Sequence, residues 1–236
     1  MKPHLNKTWC LGTLNAQFLA QMERLLWLYA LPYDPLSPVV CFDERPCFLI
    51  GEAVAPLPGQ SGRVREEPYA YEKHGACALL AALEPLTGHR LAHVYAQRTK
   101  KEYTMFCQAI AAAWPTAKKI RLVQDNSNTH TTSAFYDHLP AADAFALAER
   151  FEFYYTPKAA SWLNMIESEF SALVRECLPR RIPTIEQLTQ EALALINERQ
   201  QKKIKIHWQF SLASARHKLN RHYEGVFAAN AQYKIT

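Results

Sequence analysis

Two aspartates stand where runs of strand-like sequence end. Asp43 closes the apolar run Val39, Val40, Cys41, Phe42, and Asp125 closes Ile120 to Gln124. Aspartate is depleted inside strands, so an acid at the end of each of two core strands is informative as a pair. If the strands are neighbours, the carboxylates converge, repel, and become stable when a cation neutralises them. Oxygen ligands without paired His or Cys favour Mg²⁺ or Mn²⁺ over zinc. Taken singly, each aspartate reads as a turn residue or helix cap, and the chemistry rests on the set. A third acid must come from another element. The segment SWLNMIESEFSAL offers Glu167 and Glu169. On a helical wheel the apolar stripe is Trp162, Met165, Ile166, Phe170, Leu173, Val174 and Cys177. Glu167 lies at its edge and Glu169 nearer its middle, and helical geometry alone leaves both open.

The elements that must position these acids follow from periodicity and punctuation. Residues 13–30 read as an amphipathic helix, with Leu14, Phe18, Met22, Leu25, Leu26 and Tyr29 at three- and four-residue steps. The proline-rich stretch 32–38 is a linker. A strand over 39–44 follows, and 48–54 continues the sheet edge. Residues 59–68 form a polar loop. Residues 74–97 read as two strands joined by a turn near Pro85–Gly88, the first ambiguous with helix because Ala and Leu favour helix. Helix 101–114 ends at Pro115, and 118–126 is a strand running into a polar loop. A helical stretch broken at Pro140 comes next. Residues 151–157 are an aromatic strand closed by Pro157. Helices span 161–178, with Ser161 as the cap, then 184–201 and about 211–221. This order predicts an α/β or α+β mixed sheet flanked by helices.

Composition excludes several classes. The chain has 236 residues, 49% apolar and 21% charged, enough for one substantial core and an appendage. No apolar run approaches the roughly 20 residues of a membrane span, and the N-terminus lacks a secretory h-region, so a cytoplasmic protein is expected. The six cysteines form no CxxC pair and read as reduced thiols in or near the core. No glycine-rich phosphate loop, GxSxG elbow or HExxH motif is present. Net charge is +5, and its distribution is uneven. Between Glu198 and Tyr223 lie seven basic residues and one acid, which leaves the rest of the chain close to neutral. That stretch, interleaved with His207, Trp208, Phe210, His217 and His222, suits a phosphate backbone. A solvated helix face would have the same composition.

The motifs themselves resemble a known family. QDNSNTH resembles the second-Asp motif of DDE transposases of the mariner superfamily, YYTPKAASWLNMIESEFS its third-acid motif, and VVCFDE its first-Asp motif. RRIPT and HWQFSLASARHKLNRHY are similar to C-terminal segments of the bacterial IS-six-thirty group. The resemblance runs from about Lys7 to Tyr223 and includes all three motifs in order. It implies an RNase H-like fold, three-layered α/β/α, with C-terminal helices. It implies a transposase with endonuclease activity that uses two Mg²⁺ or Mn²⁺ ions held by Asp43, Asp125 and Glu167. The third acid follows SWLN after two residues in the family pattern, which selects Glu167. Supporting roles fall to Asn126, His130 and Asn164, the last expected to hydrogen-bond Glu167 from one turn away. Trp162 is expected in the core. Lys158 and the basic residues Lys202, Lys203, Lys205, Arg216, Lys218 and Arg221 are expected to meet DNA.

The family also implies cut-and-paste movement into a TA dinucleotide and a homodimer on DNA, in a bacterial, nucleoid-associated setting. The organisation expected is an N-terminal helix and linker over 1–36, a catalytic domain over 37–225 and a tail over 226–236. Family members usually carry an N-terminal helix-turn-helix region, for which the first 36 residues are too short. Ala159 and Ala160 also depart from the residues many relatives carry after Pro-Lys. The alternatives are a truncated or inactive transposase needing an upstream-encoded helix-turn-helix partner, and an RNase H-like nuclease acting on other nucleic acids.

Overall fold

A computed structural model describes residues 14–53 and 70–233. The polar loop expected over 59–68, the start of the first helix at residue 13 and Cys10 lie outside the described residues. Five strands form one sheet: β1 (Val39–Glu52), β2 (Tyr71–Leu83), β3 (Arg90–Tyr95), β4 (Ile120–Gln124) and β5 (Phe151–Tyr155), in spatial order β3-β2-β1-β4-β5. β2 runs antiparallel to β1 and β3, while β1, β4 and β5 run parallel. Among the described residues the α-helices are α1 (Ala16–Tyr29), α2 (Lys100–Ala113), α3 (Ser133–His138), α4 (Ala141–Glu149), α5 (Ile166–Glu176), α6 (Ile185–Gln201), α7 (Leu212–Lys218) and α8 (Asn220–Val226).

Side-chain alternation along the strands divides the core in two. Val40, Phe42, Leu80 and Leu122 pack on one face with Tyr103, Phe106 and Ile110 of α2, Phe135 of α3 and Leu147 of α4. Cys41, Leu79, Ala81 and Val123 pack on the other with residues of α1, α5, α6, α7 and α8. Helices therefore cover both faces, as the order of elements predicted, in the three-layered α/β arrangement that the resemblance implied. The five described cysteines are free and buried, which matches the reduced thiols inferred from their spacing. Among the described residues no helix is long and apolar enough to cross a membrane.

Several boundaries differ from the sequence expectation for identifiable reasons. β1 does not stop at Glu44 but runs unbroken for 14 residues through Arg45 and Pro46. Its ladder to β4 covers only Val39 to Cys41, so beyond that point one edge is open and Pro46 removes no ladder donor there. The alanine- and leucine-rich stretch 76–83 is strand, because β2 lies between β1 and β3 with Cys77 to Leu83 all buried. Burial on both faces overrides helix propensity in such a strand. Helix 161–178 also starts late. Ser161–Leu163 form a 3₁₀ turn with Ala160 at its cap position, and the α-helix begins at Ile166.

One buried cluster fixes α5. Glu169, 2% exposed at its side chain, accepts from Arg199 Nε at 2.7 Å and Nη2 at 3.2 Å. Arg90 Nε lies 3.0 Å from the same carboxylate, off the line of its N–H, so that contact is ionic. Arg90 also donates to the carbonyls of Gly88 and Ile204, each at 2.6 Å. The cluster ties α5 to the edge strand β3 and to α6. Removing one member of a buried ion pair leaves uncompensated charge. Glu169→Ala should cost about 3–5 kcal/mol of unfolding free energy, measured by urea denaturation. A loss below about 1 kcal/mol would mean the cluster behaves as a solvated surface pair.

Candidate active site

The site forms where β1, β4 and the start of α5 meet. Cys41 pairs with Val123 across the parallel ladder, and continuing the register two residues brings Asp43 abreast of Asp125. Neighbouring strands lie about 4.8 Å apart, so the two carboxylates share one end of the sheet. By alternation both fall on the face covered by α5, which carries Glu167 in its first turn. β4 ends at Gln124, so Asp125 begins the loop, whereas Asp43 sits inside the longer strand.

Backbone groups fix one oxygen of each aspartate. Asp43 Oδ1 accepts from Glu44 N at 2.8 Å, and Asp125 Oδ1 accepts from Ser127 N at 3.2 Å. His130 Nδ1 donates to the same Asp125 oxygen. Asp43 has its pKa raised to about 7, chiefly by burial and then by the negative charges of Asp125 and Glu167, against the opposing effects of the Glu44 amide and His130. Asp125 is held below the usual range: burial works against ionisation, and His130, the Ser127 amide and Arg98 together more than offset it. His130 itself is raised to about 9, because the attraction of Asp125 and Glu44 outweighs its burial. Asp43 thus responds to both other acids. Even so, among the described residues no group of three His, Cys, Asp or Glu side chains is gathered closely enough to hold an ion as it stands. The donor set nonetheless fits a hard divalent cation: three carboxylates, mutual repulsion that a cation would relieve, and oxygens not already tied by backbone donors.

Asn164 acts differently from the expectation. Its side chain does not reach the Glu167 carboxylate; Nδ2 donates to the Phe42 carbonyl at 2.8 Å, and Glu167 N donates to the Asn164 carbonyl at 3.2 Å. Tyr29 of α1 donates to the Leu163 carbonyl at 2.8 Å. The α5 start is therefore pinned to β1 one residue before Asp43 and to α1. Of the two glutamates offered by the sequence, Glu169 is enclosed by Arg90 and Arg199, while Glu167 stays partly exposed in the first turn of α5.

Asn126 and Lys158 are exposed and line a cleft of about 510 Å³ beside Asp125, with Thr156 to Ser161 and Gln21. Gln21 was not foreseen, because the approach of α1 to β5 leaves no local signal. Trp162 is 39% exposed rather than in the core and meets the ring edge of Phe210 at 5.5 Å; Val174 is exposed as well. Trp162 lies in the 3₁₀ turn that precedes the late-starting α-helix, so it does not share the helix's apolar stripe. The basic C-terminal residues do not form one patch. Lys203 and Lys205 line a groove with Gly88 and His89 at the β2–β3 turn. That turn lies towards the start of β1, since Leu83 pairs with Cys41. Lys202 pairs with Glu198, Arg216 binds Glu23 through Nε at 2.7 Å, and Lys218 lies over Phe210. Arg221 is exposed on α8.

Residues 38–189 match the model of the DDE superfamily endonuclease family, more than half of the chain. The chain belongs to the DDE superfamily endonucleases. No curated protein matches this DDE endonuclease in sequence. Solved structures similar in fold include the "Mos1 transposase paired-end complex with left transposon end", at 14% identity and TM-score 0.53, covering 98% of this chain and 68% of that one. The Mos1 strand transfer complex aligns at 14% identity and TM-score 0.54, over 96% of this chain and 67% of that one. The Mos1 mariner paired end complex with Mn aligns at 15% identity and TM-score 0.51, over 98% and 69%. The DDE endonuclease thus has a mariner-like, RNase H-like fold, as its motifs implied.

The raised Asp43 carboxyl gives a pH test on metal-free protein. A carboxyl that titrates near 7 when folded and near 3.8 otherwise binds its proton more tightly in the folded state. Its contribution to stability is therefore largest below the lower value and falls as pH rises through 7. The melting temperature of wild type minus that of Asp43→Asn, in EDTA, should decrease from pH 4 to pH 7. A flat or rising difference would show that Asp43 is not held protonated.

Proposed function

We propose that this DDE endonuclease is a transposase that cuts DNA at the ends of a mobile element and joins the freed ends to target DNA. Asp43, Asp125 and Glu167 are its catalytic carboxylates. The observation that supports this most is that Asp43 in β1 and Asp125, just past the end of the parallel neighbour β4, lie near enough for Asp43 to feel the charges of Asp125 and of Glu167 in the first turn of α5. These residues would hold Mg²⁺ or Mn²⁺, two ions in the working site, in line with the Mn and Mg complexes of Mos1. A divalent ion so held supplies Lewis acidity at phosphorus and makes water nucleophilic near neutral pH.

The rest is done by the chain's own groups. The Glu44 and Ser127 amides fix one oxygen of each aspartate, so the other can be directed at the reacting centre. The cleft carrying Asn126, Lys158 and Gln21 receives the strand beside the scissile phosphate, with Lys158 against the phosphate backbone. Hydrolysis forms a bond from water oxygen to phosphorus, breaks the bond to the strand's 3′ oxygen, and leaves a free 3′-OH. Joining repeats the displacement with that 3′-OH as attacking group at a target phosphorus. No covalent protein intermediate is required. Lys203, Lys205, Lys218 and Arg221 add contacts that do not read sequence, whereas Lys202 and Arg216 are engaged by Glu198 and Glu23.

The motif resemblance further supports membership of the bacterial IS-six-thirty group, a TA target, a homodimer on DNA, and action in the cytoplasm with end recognition by a helix-turn-helix portion. Asp125→Asn should abolish Mg²⁺- or Mn²⁺-dependent nicking of DNA bearing the element's ends, losing 10³-fold or more while the protein stays folded. Activity equal to wild type would remove the mechanism, and a clear preference for RNA–DNA hybrids would reassign the substrate. Replacing both Lys203 and Lys205 by Ala should lower the slope of log affinity against log salt by about 2. An unchanged slope would exclude that groove from the DNA path.

A further inference from the structure

Behind Asp125, on the face of the sheet away from α5, the imidazole of His130 is enclosed by protein. Its side chain is 1% exposed. The ring stacks on Tyr103 at 4.9 Å and meets the edge of Phe42 at 5.1 Å. The Tyr103 hydroxyl donates to Gln124 Oε1 at 2.9 Å, and Gln124 Nε2 donates to the His130 carbonyl at 3.0 Å. Ring and backbone of His130 are thus both immobilised by groups that pack around β4.

Each ring nitrogen faces an acid. Nδ1 meets Asp125 Oδ1, which has only lone pairs to offer, so Nδ1 carries the hydrogen. Nε2 is buried without a hydrogen-bond partner among the described residues and lies 3.7 Å from Glu44 Oε2. That separation is too long for a hydrogen bond and is an ion-pair distance. Glu44 follows Asp43 in β1, so alternation sends its side chain to the opposite face, towards His130. Arg98 Nη1 holds the other Glu44 oxygen at 3.1 Å. The contacts Arg98–Glu44–His130–Asp125 therefore link an exposed arginine to the acid that follows β4.

We propose that Glu44 and His130 are positioning residues, a carboxylate–imidazole pair that holds Asp125 Oδ1 back and presents its second oxygen to a divalent cation. This rests on the function proposed above and adds to it a part for Glu44. Adjacent residues Asp43 and Glu44 have opposite tasks: one faces the metal position and the other braces the acid on the neighbouring strand. A histidine that fixes a ligating carboxylate, and is itself fixed by a second acid, raises metal affinity by limiting the orientations of the ligand.

The test measures Mn²⁺ binding to the full-length protein, by electron paramagnetic resonance of the free ion, beside thermal melting. His130→Ala and Glu44→Ala should each weaken Mn²⁺ binding about tenfold or more. His130→Asn keeps a nitrogen donor near the Nδ1 position and should recover most of the affinity. Glu44→Gln, which preserves volume, should fold as wild type and bind Mn²⁺ more weakly. A packing role alone would lower the melting temperature of these variants and leave Mn²⁺ affinity unchanged. If Asp125→Asn loses Mn²⁺ while Glu44→Gln and His130→Asn bind it as wild type and His130→Ala binds no worse than His130→Asn, the positioning role is overturned and the proposed function stands. If Asp125→Asn itself binds Mn²⁺ as wild type, both fall.

Discussion

Asp43 feels the negative charges of Asp125 and Glu167, and the fold must hold these acids in place against that repulsion. The raised Asp43 and lowered Asp125 are two responses to one situation. Asp43 lies deeper, among negative neighbours, and favours its proton. Asp125 lies at a loop, beside an imidazole, and keeps its charge. What prevents the acids from turning away is a set of backbone anchors. Glu44 N and Ser127 N each take one carboxylate oxygen, and Asn164 binds the start of α5 to the Phe42 carbonyl. These anchors belong to the strands and helix that carry the acids, so any shift of β1 against α5 is felt at the site.

Two glutamates two positions apart have unrelated tasks. Glu167 sits in the first turn of α5 and its charge reaches Asp43, while Glu169 is closed between Arg90 and Arg199. Helical spacing puts them 200° apart, so the same helix can face the acids with one and grip the edge of the sheet with the other. The grip matters because α5 lacks a side-chain cap at its N-cap residue and begins after a 3₁₀ turn. Its orientation comes from the buried arginines, from Asn164 and from Tyr29 rather than from its own terminus.

Charge clustered in sequence is dispersed in space. Of the seven basic residues in the C-terminal stretch, Arg199 holds the buried Glu169 and Arg216 holds the partly exposed Glu23. Lys202 pairs along its own helix. The remainder is split between the groove at the β2–β3 turn and the surface of α7 and α8. A helix-rich segment turns its basic residues in several directions, so composition alone overstated the patch. Trp162 shows the same effect, moved to the surface because the helix starts later than its apolar spacing suggested.

The amino-acid sequence by itself determined the elements and their order, because hydrophobic period and proline punctuation are local. It also singled out Asp43 and Asp125, since an acid closing an apolar run is visible without a fold, and short motifs named the family. It left residues 76–83 ambiguous and the choice of third acid open to helical geometry, and it ended β1 too early at Glu44. Tertiary structure decided the strand at 76–83, the length of β1 and the structural part of Glu169, because each depends on a partner far away in the chain. β2 is strand because β1 and β3 enclose it, and Glu169 is structural because Arg90 and Arg199 reach it. Asn164 serves Phe42 rather than Glu167 because the strand carbonyl is the acceptor its amide meets. The approach of Glu44 to His130, 86 residues apart along the chain, exists only once the β1–β4 register is set.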